Sequence, residues 1–386
     1  MNPLSGYRRP DGRVGFRNHL LVVSTVVCAN EVVERIGRRV RRAVPLAHRA
    51  GCCMLGADFE QFKRTLLGLA TNPNVGAVLV VGLGCEQVDA AWLAAEAAKA
   101  GARAEAVAIQ ACGGSREAAR QGADIARRLA REMERDQRVH VSPADLVLGL
   151  ECGASDYSSG LAANPAIGVL SDRLVQAGGA VVLSETTEII GGEHLLAKRA
   201  ANPDVARRLH EIVARVEDRA RRAGVDIRGS QPTPGNLRGG ITTIEEKSLG
   251  CIYKAGSATL EGVLEYAQRV PGKGLWMMDT PGQDVESITG MVAGGAQAVV
   301  FSTGLGTPVG CPVAPVIKVT GNPTTARSMR PHVDLSAGRI LEGRDSVQRV
   351  GERLWDMLLA VAGGKRTKAE RLGHAEFGIH RIGTTI

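Results

Sequence analysis

GAVLVVGLGCE, residues 76–86, decides the fold. Its apolar core shows no polar alternation, so both faces must be covered, as in the central strand of a parallel sheet. The apolar run at 75–84 is far too short to span a bilayer. Downstream, AAWLAAEAAKA (90–100) is rich in strong helix formers and ends at Gly101. ARAEAVAIQ (102–110) alternates as a strand, and 116–138 reads as a long charged helix. Upstream, HLLVVSTVV (19–27) is a β-branched strand leading into a helix over 30–42, and AVPLAH (43–48) a short strand leading into a helix over 58–70. Strand and helix alternating at this spacing predict a doubly wound, Rossmann-like sheet.

QRVHVSPA (137–144) is a polar break with proline and predicts a domain boundary, giving α/β units over 1–140 and 141–386. The second unit reads as strands at DLVLGLE (145–151), AVVLSET (180–186), GLWMMD (274–279), AQAVVFST (296–303) and APVIKVTG (314–321). Helices are expected over 164–178, 203–223, between 279 and 296, and over 346–364. The fold class is therefore α/β, with two Rossmann-like, mostly parallel sheets.

Composition narrows the function. Aromatics are only 3%, which removes the stacking platform of single-strand binders despite a net charge of +8. The arginines in RIGRRVRRA (35–43) and ARRLAREMERD (126–136) alternate with apolar and acidic residues, as on solvated helix faces. No nucleic-acid or membrane partner is expected; an anionic small molecule fits the charge. MNPLSGYRRPDGR (1–13) has no apolar signal region, and the eight cysteines form no secreted framework, so a cytoplasmic protein with reduced thiols is expected.

The polar clusters fall where strands should end, which is where ligands bind in open parallel sheets. No Walker loop and no G-x-G-x-x-G follows a strand, which disfavours nucleotide chemistry. Cys85-Glu86, Cys112 and Cys152 each follow a strand, and Cys52-Cys53 follow His48 closely. Thiolate, imidazole and carboxylate are natural ligands for a borderline divalent ion, so His48, Cys52, Cys85, Glu86 and Cys152 are the candidate metal donors, against the commoner fate of an inert buried side chain. The loop Glu151–Gly160 offers Ser155, Asp156, Ser158 and Ser159 for a polyhydroxy ligand, with Asn164 at the next helix start. Its plain alternative is a helix cap. Lys247 beside Glu246 could move a proton or pair with a carboxylate, or simply open a helix. Arg13, Arg17 and Asn18 could clamp carboxylates or be surface groups.

GYRRPDGRVGFRNHLLV (6–22), GADFEQFKRTLLGLATNPNVGAVLVVGLGCE (56–86), ECGASDYSSGLAANPAIG (151–168), PTPGNLRGGITTIEEKSLGC (232–251) and FSTGLGTPVGCPVAPVIKV (301–319) together resemble the altronate/galactarate dehydratase family, as does EFGIHRIGTT (376–385). The family includes the large subunit of sulfolactate sulfo-lyase. The resemblance implies metal-assisted β-elimination from a small hydroxy acid, with Fe²⁺ or another divalent ion such as Mn²⁺ as cofactor. Loss of water from altronate or galactarate leads; loss of sulfite from sulfolactate and a non-catalytic sugar-acid-binding subunit are the alternatives. Many members carry an N-terminal SAF domain, whereas this sequence opens on GYRRPDGR, so a separate small SAF-domain subunit is expected as partner, with a homo-oligomer left open. On this reading Lys247, Asp156, Glu246 and His48 are the catalytic candidates. Arg13, Arg17, Asn18, Ser155, Ser158, Ser159 and Asn164 are the substrate-binding candidates.

Overall fold

In the computed structural model, which describes residues 4–383, Val75–Gly82 is an inner strand buried along its whole length. It lies in a four-stranded parallel sheet ordered Ala43–Leu46, His19–Ser24, Val75–Gly82, Arg103–Ala108. The run has no polar face because helices cover both sides. Leu79 and Val81 share one core with Val32 and Ile36 of Asn30–Arg39 and Ala119 of Ser115–Met133. Val78 and Val80 meet Leu66 of Gly56–Ala70 and Leu93 of Ala90–Lys99.

The second unit is a seven-stranded parallel sheet ordered Leu260–Leu264, Gly274–Met278, Ala180–Leu183, Val147–Gly153, Ala298–Thr303, Val316–Thr320, Leu335–Ser336. Asn164–Gln176 and Val347–Ala362 pack together against one face. Asp284–Ala293 covers the other and is itself covered by Gly56–Ala70 of the first unit, so one apolar core runs through both sheets. The helices approach so closely that a Cβ on Gly68 would lie 2.2 Å from the Ala293 carbonyl oxygen.

Several strands depart from the sequence reading. Val14–Gly15, Ser5–Arg8 and Val139–His140 form a small antiparallel sheet. These strands are too short and polar to carry a periodic signal, and the last lies within the expected boundary, tying 137–144 back to the N-terminal segment. Leu260–Leu264 escaped notice because Glu261 and Gly262 interrupt its apolar run. No helix among the described residues is long and apolar enough to cross a membrane.

Buried amides and one guanidinium seal the seam. Asn72 Nδ2 donates to the carbonyls of Val292 (2.7 Å) and Ala296 (3.0 Å), and Asn74 Nδ2 to those of Gln297 (2.8 Å) and Val313 (3.0 Å). Arg17 grips both oxygens of Glu370 at 2.7 and 3.0 Å and donates to the carbonyls of Phe16, Val361 and Lys365. Those five bonds use every N–H of a guanidinium, leaving none for a ligand. Arg17→Met should therefore lower stability by about 3 kcal/mol, near the lower bound for breaking a buried pair because both side chains keep some solvent contact. Urea unfolding measures this, and KM should stay unchanged; a raised KM at full stability would return Arg17 to substrate binding.

Candidate active site

Three neighbouring strands, Val147–Gly153, Ala180–Leu183 and Gly274–Met278, end side by side and deliver polar groups to one point. The first ends in Glu151 and Cys152, the second leads into Ser184 and Glu185, and the third into Thr280. Two non-glycine residues just past these ends are left-handed, Ala154 at φ 49° and Glu185 at φ 61°. Each such residue costs on the order of 1–3 kcal/mol and persists only where its surroundings hold it. The Glu185 N–H is fixed by Thr280 Oγ1 at 2.7 Å, and the turn Thr186–Glu188 that follows brings in Glu188.

The other half comes from Ile244–Ile252 and the turn Tyr253–Ala255. There Lys247, Cys251 and Lys254 recur at positions i, i+4 and i+7 and so share a face. Asp284 opens its helix with Ser287 one turn on. At Gly153 a Cβ would meet Asp284 Oδ2 at 2.6 Å and push that carboxylate aside.

Lys254 is fully buried and is the electrostatic centre. Its Nζ lies 2.8 Å from Glu188 Oε2 and 2.7 Å from Cys152 Sγ. The Cys152 thiol donates to the same Glu188 oxygen at 2.6 Å and lies 3.4 Å from Cys251 Sγ. Lys247 Nζ stands 3.9 Å from Glu188 Oε1 and keeps 15% of its side-chain exposure, so it is the cation facing outward. Burial alone would push the Glu188 carboxyl up, but Lys254 and Lys247 outweigh it and hold it near 2. Burial opposes charge on both lysines too, yet Glu188 at Lys247, and Cys152 and Glu188 at Lys254, raise both above the usual lysine range. Burial and the neighbouring Cys251 raise the Cys152 thiol.

Beside this compensated cluster sits an uncompensated one. Glu151, Glu185 and Asp284 each bring a carboxylate oxygen within 4.8 Å of the others. Burial, with Asp284 adding repulsion, pushes Glu151 up to about 8. Burial and then Glu151 and Glu188 raise Glu185 well above the carboxylate range, and burial with Glu188 lifts Asp284 to about 6. Ser184 and Ser287 donate to Glu151 Oε2 at 3.0 and 2.7 Å, but Glu151 Oε1 is buried with no hydrogen-bond partner among the described residues. Like charges this close require a shared proton or a cation. The orphaned oxygen and the all-oxygen donor set fit a hard divalent cation. Cys152, Glu188 and Cys251 also form a three-donor group, but the Lys254 ammonium already supplies its positive charge.

Of the residues singled out in the sequence, Lys247 and Cys152 reach this cluster. Asp156 is buried one loop away, where it accepts hydrogen bonds from Ser158 Oγ, the Ser159 N–H and Asn322 Nδ2 and so organises that loop. The Ser155 hydroxyl and Asn164 Oδ1 are buried without partners among the described residues, while Asn164 Nδ2 donates to the Gly250 carbonyl. Glu246 caps its helix through the N–H and hydroxyl of Thr242. Arg13 and Asn18 lie, like Arg17, at the opposite end of the first sheet. Arg13 binds Asp11 and the Thr71 carbonyl, and Asn18 binds Asp136 and Arg9. The eight-residue strand Val75–Gly82 separates that end from Cys85 and Glu86, a span of roughly 26 Å at about 3.3 Å per residue.

The metal donors expected in the first unit do not converge either. His48 is buried with both nitrogens engaged: Nδ1 accepts from the Ala50 N–H at 3.2 Å and Nε2 lies 2.7 Å from the Ser24 carbonyl. Burial depresses it to about 4. Glu86 accepts the N–H groups of Leu83, Gly84 and Cys85 and the Thr25 hydroxyl, fixing its own loop. Cys52 and Cys85 are exposed and belong to no three-donor group among the described residues. Sequence reasoning passed over Glu185, Glu188, Cys251, Lys254 and Asp284 as site residues. The i, i+4, i+7 spacing of Lys247, Cys251 and Lys254 was the signal available.

Buried acid–base pairs and a metal-donor set at the carboxyl edge of a doubly wound sheet mark an enzyme of the α/β class. Residues 143–385 match the family described as D-galactarate/Altronate dehydratase, C-terminal, and residues 6–134 match D-galactarate dehydratase/Altronate hydrolase, second domain. The chain belongs to the D-galactarate/altronate dehydratase family. It is 37% identical to (2R)-sulfolactate sulfo-lyase subunit beta of Chromohalobacter salexigens, covering 98% of this chain and 97% of that one. It is 35% identical to altronate dehydratase of Bacillus subtilis, covering 99% and 78%, and 34% identical to galactarate dehydratase (L-threo-forming) of Escherichia coli, covering 94% and 73%.

The carboxylate trio makes a pH prediction. With Glu151 near 8 and Asp284 near 6, an entering ion must displace protons below those values. Mn²⁺ affinity, read from the free-ion electron paramagnetic resonance signal, should therefore rise from pH 6 to 8. Glu151→Gln should weaken binding and flatten the profile. Affinity that is independent of pH and of Glu151 would place the ion elsewhere.

Proposed function

We propose that the chain is a cytoplasmic lyase subunit that performs β-elimination on a small 2-hydroxy acid, removing water from a sugar acid such as altronate or galactarate in carbohydrate-acid catabolism. The observation that carries this reading is the adjacency of an outward cation, Lys247, to three crowded carboxyls. Removing the hydrogen next to a carboxylate places charge on that carboxylate's oxygens, and Lys247, kept protonated by Glu188, is placed to hold it. Asp284 is partly open to solvent and lifted towards neutrality, the range that suits a general base. The proton shared by Glu151 and Glu185 is available to the departing group.

In the balance of the step, the C2–H bond breaks to Asp284 and its electron pair forms C2=C3. The C3–O bond breaks, the oxygen leaves as water with the glutamates' proton, and the enol becomes a 2-oxo acid. A divalent ion held by Glu151 and Glu185, with Asp284 left free as the base, would supply Lewis-acid polarisation of the departing oxygen in place of that shared proton, and the proton taken from C2 by Asp284 would then leave with that oxygen as water. Ser155 and Asn164, with their unpartnered oxygens, are the proposed contacts for substrate hydroxyls. A separate small subunit is the proposed partner, since a relative matched along 97% of its length is itself a named subunit. That match also favours the second reading, in which C3 releases sulfite from sulfolactate.

Anaerobic incubation with Fe²⁺ and altronate, galactarate or sulfolactate, followed by assays for 2-oxo acid and sulfite, separates the readings. A 2-oxo acid without sulfite supports the first, and sulfite the second; failure of all three substrates, with a small subunit added, contradicts both. With the active substrate, Lys247→Ala should lower kcat by about 10²–10⁴, the range for a group acting in the transition state. Near-normal turnover would remove Lys247 from the mechanism.

A further inference from the structure

The first sheet carries its own thiol edge, separate from the carboxylate cluster. Cys28 follows the strand His19–Ser24, Cys52 and Cys53 follow Ala43–Leu46, and Cys85 follows Val75–Gly82. These strands are neighbours, and all four thiols are exposed. Their loops are fastened together. The Val27 N–H donates to the Ala50 carbonyl at 3.0 Å, and Met54 exchanges two hydrogen bonds with the Gln87 amide, both 2.8 Å.

Within this edge the Cys52–Cys53 loop has an enforced shape. Gly51 is at φ 110°, and a Cβ there would meet the Thr25 carbonyl oxygen at 2.2 Å. Cys53 is left-handed at φ 53°, a conformation that disfavours any side chain. The outcome is two consecutive thiols on the same side, with their Sγ atoms 3.7 Å apart. Two thiolates sharing one tetrahedral ion at about 2.3 Å lie about 3.8 Å apart, whereas a disulfide needs about 2.05 Å. The separation fits a chelated ion.

We propose that Cys52 and Cys53 form a vicinal dithiolate site for a thiophilic divalent ion such as Zn²⁺ or Cd²⁺. Binding converts two thiols and one M²⁺ into two metal–sulfur bonds and two released protons. Among the described residues no third donor completes the set, so water fills the remaining positions. The ion would lock the loop that stands on His48, and it differs in kind from one held by the carboxylate trio, which offers no sulfur.

The test is a Cd²⁺ titration of the reduced, ion-free chain under anaerobic conditions, following the ultraviolet thiolate-to-metal band and proton release. The expected result is a band saturating at one equivalent with two protons released. Affinity should fall at least tenfold in Cys52→Ser and in Cys53→Ser, and stay unchanged in a Cys152→Ser/Cys251→Ser variant. Both side chains are exposed, so the serine variants keep the core; Zn²⁺ should raise Tm in the parent chain and not in them. Absence of the band overturns the proposal. So does a band lost only with Cys152 and Cys251, or a reduced pair that closes to a disulfide instead of binding the ion.

Discussion

A buried lysine against a buried carboxylate sets the terms for the rest of the structure. Lys254 has no exposed surface, and Glu188 Oε2 lies 2.8 Å away with Cys152 Sγ at 2.7 Å. Taking either charge out of water alone costs several kcal/mol, so each is tolerable only with the other in place. The pairing requires that Tyr253–Ala255 lie across the ends of Val147–Gly153 and Ala180–Leu183. It also fixes Lys247, one helical stretch back, at the same carboxylate. The charge neutralised at Glu188 is the charge missing at Glu151, Glu185 and Asp284, and the second group is left to hold a proton or an ion.

Much of the fold was legible because burial on both faces leaves a mark that needs no context. Val75–Gly82 and Val147–Gly153 read as continuous apolar runs, and the helices between strands carried their caps and stops. Elements held by pairing rather than burial were not legible. Val139–His140 is a strand only because it faces Ser5 and Gly6 across more than a hundred residues. The tight seam, with Asn72 and Asn74 buried against carbonyls of the second unit, likewise has no local signal.

The site was legible in position more than in membership. That ligands gather at strand carboxyl ends drew attention to the loop opening at Glu151-Cys152, but not to which side chains would meet there. Arg17 was attractive because a guanidinium suits a carboxylate; it found Glu370, 353 residues away in sequence. His48 resembled a ligand for the same kind of reason, yet two backbone groups occupy its ring. Lys254 was overlooked since a lysine in CIYKAG resembles a surface residue until the helix is seen to bury it. In each case chemistry was readable from residue type, while partnership depended on long-range packing.

The most direct test of this account is infrared difference spectroscopy of the ion-free chain at neutral pH, with isotope-labelled glutamate. The account requires a protonated carboxyl band that disappears in Glu151→Gln and on addition of Mn²⁺. A spectrum in which every buried glutamate is already ionised without an ion would contradict it.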